Sequence, residues 1–206
     1  LGRQKELFVR PRGTAEIFRG DARNFRLQPS YEGRVGAIIT SPPYLNRYDY
    51  SRTYSLELCL SFIKDFRELR DVRHSLLRSH IESREHEGKQ IDLASLREIL
   101  VALTAGELNN DRIPIMIQGY FEDMNLAIGN IWRCLGPKGL VALVIANARF
   151  AGEMVPVDLM LCELAARHGL QTESIWVTRY KGNSSQQMAK YGRIPVRESI
   201  VFWRKK

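Results

Sequence analysis

The stretch Val35-Gly36-Ala37-Ile38-Ile39-Thr40-Ser41-Pro42-Pro43-Tyr44 decides how this chain is read. The apolar run from Val35 to Ile39 predicts a short buried strand. The run stops at Thr40-Ser41 and two consecutive prolines, which cannot donate hydrogen bonds and whose φ is fixed near −65°. The chain therefore leaves the sheet as a stiff, extended loop, with the Ser41 and Pro42 carbonyls held wherever that loop aims them. Tyr44 follows with a flat aromatic face. In an open α/β sheet, ligands bind at the carboxyl ends of strands, which is where this loop sits. A rigid, acceptor-rich corner beside an aromatic plate suits a planar base whose exocyclic amine must be aligned.

Working outward, Ala15 to Arg19 predicts a short strand ending at Gly20-Asp21, and Asn24 to Arg34 a polar loop containing Pro29. Ser55 to Leu69 carries Leu56, Cys59, Leu60, Ile63 and Phe66 at helical spacing. Residues 64–118 are rich in charge and hold three of the four histidines; they predict a helical insert between two sheet strands. Ile117 to Cys134 predicts an amphipathic helix, with Phe121, Met124, Ile128 and Trp132 on or near one face, stopped by Gly136. Leu140 to Ala146 is a continuous apolar run of buried-strand type, with Asn147 and Arg149 at its carboxyl end. Pro156 opens the next helix and Gly169 closes it. Leu170 to Thr178 predicts a strand, Arg179 to Arg193 a long polar loop, and Glu198 to Trp203 a last strand. The division is 1–63 and 119–206 as two parts of one core, with 64–118 between them.

The chain has 206 residues, 44% hydrophobic and 26% charged, with a net charge of +8. That is ordinary globular composition, and the basic balance favours a polyanionic partner, nucleic acid before a membrane surface. No run of ~18 apolar residues predicts a membrane span, and Leu1-Gly2-Arg3-Gln4 does not open as a signal peptide. Cys59, Cys134 and Cys162 are widely spaced and sit among apolar helical neighbours, which predicts buried reduced thiols; neither they nor the histidines show metal-ligand spacing.

Ser41-Pro42-Pro43-Tyr44 resembles the catalytic tetrapeptide of the amino-methylating DNA methyltransferases, Asp/Asn/Ser-Pro-Pro-Tyr/Phe/Trp, and its serine is typical of cytosine-N4 members. Alone, Ser-Pro-Pro is a common turn or polyproline fragment. Here the likeness extends to Gly20-Asp21-Ala22-Arg23, to Leu45-Asn46-Arg47-Tyr48-Asp49-Tyr50, and to the tail from Gly182 to Arg197, and it covers most of the chain outside about Phe62 to Gln118. The resemblance is greatest to bacterial cytosine-N4-specific enzymes. It implies a Rossmann-like, S-adenosylmethionine-dependent α/β methyltransferase sheet with a helical insert. No Gly-rich turn of the Phe-x-Gly-x-Gly kind follows a strand, so the sheet is expected to lack its first βα units and the chain to be a fragment, one that can be inactive alone.

The resemblance also implies roles. Ser41, Pro42, Pro43 and Tyr44 are the expected catalytic residues. Asp21, Ala22, Thr40 and Ser41 are expected to contact S-adenosylmethionine, Asp21 at its adenine portion. Asn46, Arg47, Tyr48, Arg78, Arg84, Lys181 and Arg193 are expected to contact double-stranded DNA, with 64–118 as a target-recognition element. A bacterial cytoplasmic, nucleoid-associated protein with a companion restriction nuclease follows from the same likeness. The chemistry is consistent: the lone pair of a cytosine amine is delocalised into the ring, and acceptors such as Ser41 Oγ and the Pro42 carbonyl turn it toward a methyl donor, so catalysis is mainly alignment. The base must be flipped out of the duplex, and Tyr44 is placed to stack on it. The alternatives are adenine-N6 or RNA amino-methylation, or a degenerate methyltransferase-fold binding protein.

Overall fold

The computed structural model describes residues 13–82, 91–182 and 185–206. Strand β1 (Val35–Thr40) is followed by α1 (Tyr50–Thr53), α2 (Ser55–Ser61), α3 (Phe66–Ser75), α4 (Ala94–Ala105) and α5 (Ile113–Cys134). Then come β2 (Leu135–Ala146), the hairpin β3 (Ala148–Phe150) and β4 (Glu153–Val155), α6 (Val157–Arg167), β5 (Leu170–Lys181), α7 (Ser185–Tyr191) and β6 (Val196–Lys205). The main sheet has the order β1-β2-β6-β5. β1 and β2 are parallel, and β6 runs antiparallel to both β2 and β5. The expected α/β sheet with an antiparallel edge is therefore present.

β2 explains why the core sits where it does. Val141, Leu143 and Ile145 alternate along it at 0% exposure, the period-two pattern of a strand with one face sealed. α5 and α6 pack against this sheet. On α5, Met116, Ile117, Tyr120, Phe121, Met124 and Ile128 form one buried stripe, as helical periodicity requires. Pro114 stands in its first turn, where a missing N–H costs nothing. Its last carbonyls are capped by Lys205, whose Nζ donates to the carbonyls of Trp132 and Leu135, both at 2.7 Å.

Several expectations change. Ala15–Arg19 forms no strand and Ile17 is almost wholly exposed; β1 pairs with β2 on one side, and no strand among the described residues occupies its other edge. For the same reason β1 is an edge strand rather than a fully buried one, with Gly36, Ala37 and Ile39 exposed. The helix expected over 55–69 is broken at Phe62–Asp65, because Asp65 caps α3 by accepting from the main-chain N–H groups of Arg67 and Glu68. Its apolar face, including Leu56, Leu60 and Phe66, is exposed, and so is Cys59; of the three thiols only Cys134 is fully buried, which pushes its pKa up. β5 runs on to Lys181, past the expected end at Thr178, and α7 lies within the expected polar loop of Arg179 to Arg193. The division at residue 118 falls inside α5, and Leu93, Leu96 and Leu103 of the 64–118 span join the same core cluster as β2.

Candidate active site

β1 ends at Thr40, and the Pro-Pro segment leaves it as an extended loop that is fixed further along. Leu45 is buried at 1% exposure. Tyr120, at the middle of α5 and wholly buried, donates its Oη–H to the Pro43 carbonyl at 3.1 Å; burial pushes its phenol pKa far up, so it stays protonated and a donor. Ser41 is exposed, and neither its Oγ nor the Pro42 carbonyl has a partner among the described residues. The loop is thus pinned at its third residue while two acceptors before the pin stay open. Tyr120→Phe is expected to free that pin: amide hydrogen exchange at Tyr44 and Leu45 should rise, and stability should fall by about 1–2 kcal/mol, since a half-buried carbonyl loses its donor.

Beyond Leu45 the chain turns sharply. Arg47 is in the left-handed region at φ 67°, uncommon for a side chain of its size. Its N–H donates to the Ser79 carbonyl at 3.2 Å, and its Nη1 reaches Asn109 Oδ1 at 3.2 Å. Asn46 Oδ1 accepts from the Tyr48 N–H at 3.0 Å, and the Tyr48 ring is exposed.

These loops border a cavity of about 410 Å³, whose polar lining comes from Tyr44, Asn46, Arg47, Asn147, Arg149 and Lys181. The residues after β1, the end of β2, β3 and the end of β5 all converge there. It is the carboxyl end of the parallel pair, where α/β sheets place ligands. Arg149 is buried and holds the far wall: it donates to the carbonyls of Gly152 (2.9 Å), Tyr191 (2.6 Å) and Gly192 (2.9 Å). The β3–β4 turn carries positive φ at Ala151 (47°) and Gly152 (90°), the two-residue hairpin geometry that favours glycine. A Cβ on Gly152 would also stand 3.0 Å from the Tyr191 ring.

Asp158 fastens the floor. It is wholly buried and accepts from Arg197 Nε (2.7 Å) and Ser199 Oγ (2.9 Å) on β6. Its own N–H donates to Asn147 Oδ1 at 3.1 Å. Burial alone would raise its pKa, but the hydrogen bonds from Arg197 and Ser199 and the Arg197 charge outweigh it and hold the carboxyl low. On the near side, Lys181 Nζ lies 5.1 Å from the centroid of the Tyr44 ring and pairs with Glu198, which Arg179 also binds at 2.7 Å. The Arg179 hydrogen bond, ahead of that from Lys181, holds the Glu198 pKa down to about 2 against its burial.

The remaining expected residues lie elsewhere. Asp21 is hydrogen-bonded by Arg23 through its main-chain N–H (2.9 Å) and guanidinium (2.6–3.1 Å), which lowers its pKa. This turn sits against α5, where Asn130 Nδ2 donates to the Ala22 carbonyl at 2.8 Å, and against the end of α3, where Arg23 reaches the Ser75 carbonyl. Arg78 turns inward to Glu122 (2.9 Å) and Asp123 (2.7 Å) and is 11% exposed, so its charge is engaged within the fold rather than offered to phosphates. Arg193 is exposed just after Gly192. Arg84 lies outside the described residues. Tyr120, Asp158 and Glu198 had no place in the expected site. Only Tyr120 left a trace in the sequence, as a hydroxyl on an apolar helix face that needs a buried partner.

No family model matches the chain. It is 40% identical over 196 residues to the type II methyltransferase M.BsoBI of Geobacillus stearothermophilus, and 40% identical over 182 residues to the type II methyltransferase M.AvaI of Nostoc and of Anabaena variabilis. Each match covers 82% of this chain but 38% of the relative, so the chain spans well under half the length of the curated relatives it matches. Solved structures with a similar trace include that of a Thermus thermophilus protein assigned as a DNA modification methylase, complexed with S-adenosyl-L-methionine. It is 15% identical, with a TM-score of 0.43, and the match covers 90% of this chain and 53% of that one. On the sequence identity, and with a Ser-Pro-Pro-Tyr loop at the carboxyl end of a parallel strand, the chain belongs to the family of the type II DNA methyltransferases.

Proposed function

We propose that this chain carries the target-base half of an S-adenosylmethionine-dependent DNA methyltransferase acting on the exocyclic N4 amine of a flipped cytosine. The observation that carries the reading is the pinned loop. Ser41 Oγ and the Pro42 carbonyl are without partners among the described residues, one step before a Pro43 carbonyl held by Tyr120. Two open acceptors beside that pin can take the two amine hydrogens and direct the nitrogen lone pair out of the ring plane. The loop backbone that carries them is set in advance by the Tyr120 bond and buried Leu45, which limits reorganisation when charge develops on nitrogen. Tyr44 at the cavity edge offers the stacking face, an interaction that contributes on the order of 1–3 kcal/mol per base. The cavity of about 410 Å³ is of a size to admit one base.

S-adenosylmethionine supplies, when bound, a methyl group on a sulfonium that departs as a neutral thioether. The residues here fit part of that cofactor. Thr40 and Ser41 offer polar groups at the strand end, while the Asp21 carboxylate is engaged by Arg23 and would have to share it. Arg47 and Lys181 line the cavity as cations for the extruded nucleotide, and Arg193, exposed on the surface, is a cation for the DNA backbone.

The test is direct. DNA incubated with the full-length protein and S-adenosylmethionine is digested to nucleosides and analysed by mass spectrometry. N4-methylcytosine is the expected product. N6-methyladenine instead would overturn the choice of base, and no methylated nucleoside would overturn the activity.

A further inference from the structure

We propose that Lys181, tethered by Glu198 beside the Tyr44 ring, is the donor that reads the C2 carbonyl of the target base and so selects cytosine over adenine. The inference rests on the amine methylation proposed above and concerns how the same cavity tells its base.

Once Ser41 and Pro42 hold the amine hydrogens of cytosine, the rest of its Watson–Crick edge presents two acceptors, N3 and O2. Adenine in the same pose presents N1 and then a C2–H, which accepts nothing. A pocket that prefers cytosine therefore needs a donor at the O2 position. The structure leaves few candidates among the cavity's cations. Arg149 is committed to three main-chain carbonyls. Arg47 is directed by its strained backbone and its contact with Asn109 toward the α4–α5 connection. Lys181 is different. Its ammonium carries three N–H donors, and Glu198 is its hydrogen-bond partner. It stands 5.1 Å from the centre of the ring on which the base would stack; its side chain is 34% exposed, and the residue lines the cavity.

Glu198 makes this position dependable. It lies on β6, paired with Ala146 and Arg179 across the sheet. Its carboxylate side chain is 9% exposed. Arg179 holds it from the outer side. An ammonium on a four-carbon stem is ordinarily mobile; anchored to a carboxylate on a central strand, it becomes a fixed donor beside Tyr44. There it rests against the Tyr44 ring as a cation–π contact. Entry of a base exchanges that contact for a charge-assisted hydrogen bond, an exchange open to an O2-bearing pyrimidine and closed to adenine.

The experiment compares single-turnover methylation of matched duplexes carrying cytosine or adenine at the target position, using full-length wild-type protein, Lys181→Met and Lys181→Arg. The wild type should favour cytosine. Lys181→Met should lower the cytosine-to-adenine rate ratio by about 10- to 100-fold, the range of one hydrogen bond from a charged donor. Lys181→Arg, which keeps the donor, should restore most of it. The slope of log affinity against log salt for duplex binding should stay unchanged in Lys181→Met. Equal loss on both bases, or a salt slope reduced by about one, would make Lys181 a phosphate contact and overturn the proposal. A wild type that methylates neither base overturns the underlying activity and the proposal with it, an outcome visible before any variant is made.

Discussion

Ser41→Ala is expected to lower methyl transfer by about 10- to 1000-fold, at its upper end the loss of ~10²–10³ that follows deletion of one preorganised oxyanion-hole donor. The protein should fold as before. Ser41 is exposed, and its hydroxyl supports no other group among the described residues, so no structural bond is lost. The loop keeps its shape because Leu45 and the Tyr120 bond to the Pro43 carbonyl hold it from the other side. The change should therefore fall on the chemical step. Single-turnover rates in the full-length protein measure it, with thermal unfolding as the control. An unchanged rate would take Ser41 out of the alignment of the amine.

Asp158→Ala should have the largest effect on stability. It removes a wholly buried carboxylate and leaves Arg197 and Ser199 facing an empty corner under the cavity. Breaking a buried pair from one side costs about 3–5 kcal/mol. Arg197 is 31% exposed and can turn to water, which favours the lower end, about 3 kcal/mol. For a chain of this size that is a fall in Tm of roughly 6–12 °C. The pH dependence has a definite sign. The folded carboxyl titrates below its ordinary value, so the folded state binds fewer protons here than the unfolded state. Its contribution is complete above the unfolded pKa of about 3.9 and disappears as pH falls through the lower folded value. Urea unfolding at neutral pH and at stepwise lower pH checks both points: the parent should lose stability on acidification, and Asp158→Asn should lose part of that slope. If Asp158→Ala unfolded at the parent's urea midpoint, the floor would not depend on this carboxylate.

The cavity links these effects. Asn147 lines it and takes its orientation from the Asp158 N–H, and Asp158 in turn holds β6 beside Glu198 through Ser199 and Arg197. A loosened floor should reach Lys181 through Glu198. A modest loss of base discrimination in Asp158→Asn is therefore consistent with the same geometry.

Local features of the sequence were enough for the elements that punctuation defines. Two prolines after an apolar run can only be an exit loop, and it lies at the end of β1. Pro156 and Gly169 bracket α6 because one fits a helix start and the other takes a positive φ, here 86°, at its end. The apolar run of 140–146 made β2 legible, and the family tetrapeptide placed the expected chemistry on the loop after β1. The sequence could not say which charges face inward. Arg78 reads like the other arginines of a basic insert, yet tertiary packing sets it between Glu122 and Asp123 of α5. Nor could it pair Tyr120 with Pro43, 77 residues away, or set Lys181 over Tyr44 and against Glu198. Periodicity and turn chemistry act over a few residues, so they report which face of an element is apolar and where it stops. Which hydroxyl meets which carbonyl, and which cation finds a carboxylate, depends on segments far apart in the chain. Only their packing brings these groups within hydrogen-bond reach, because a buried polar group must find a partner wherever the fold supplies one.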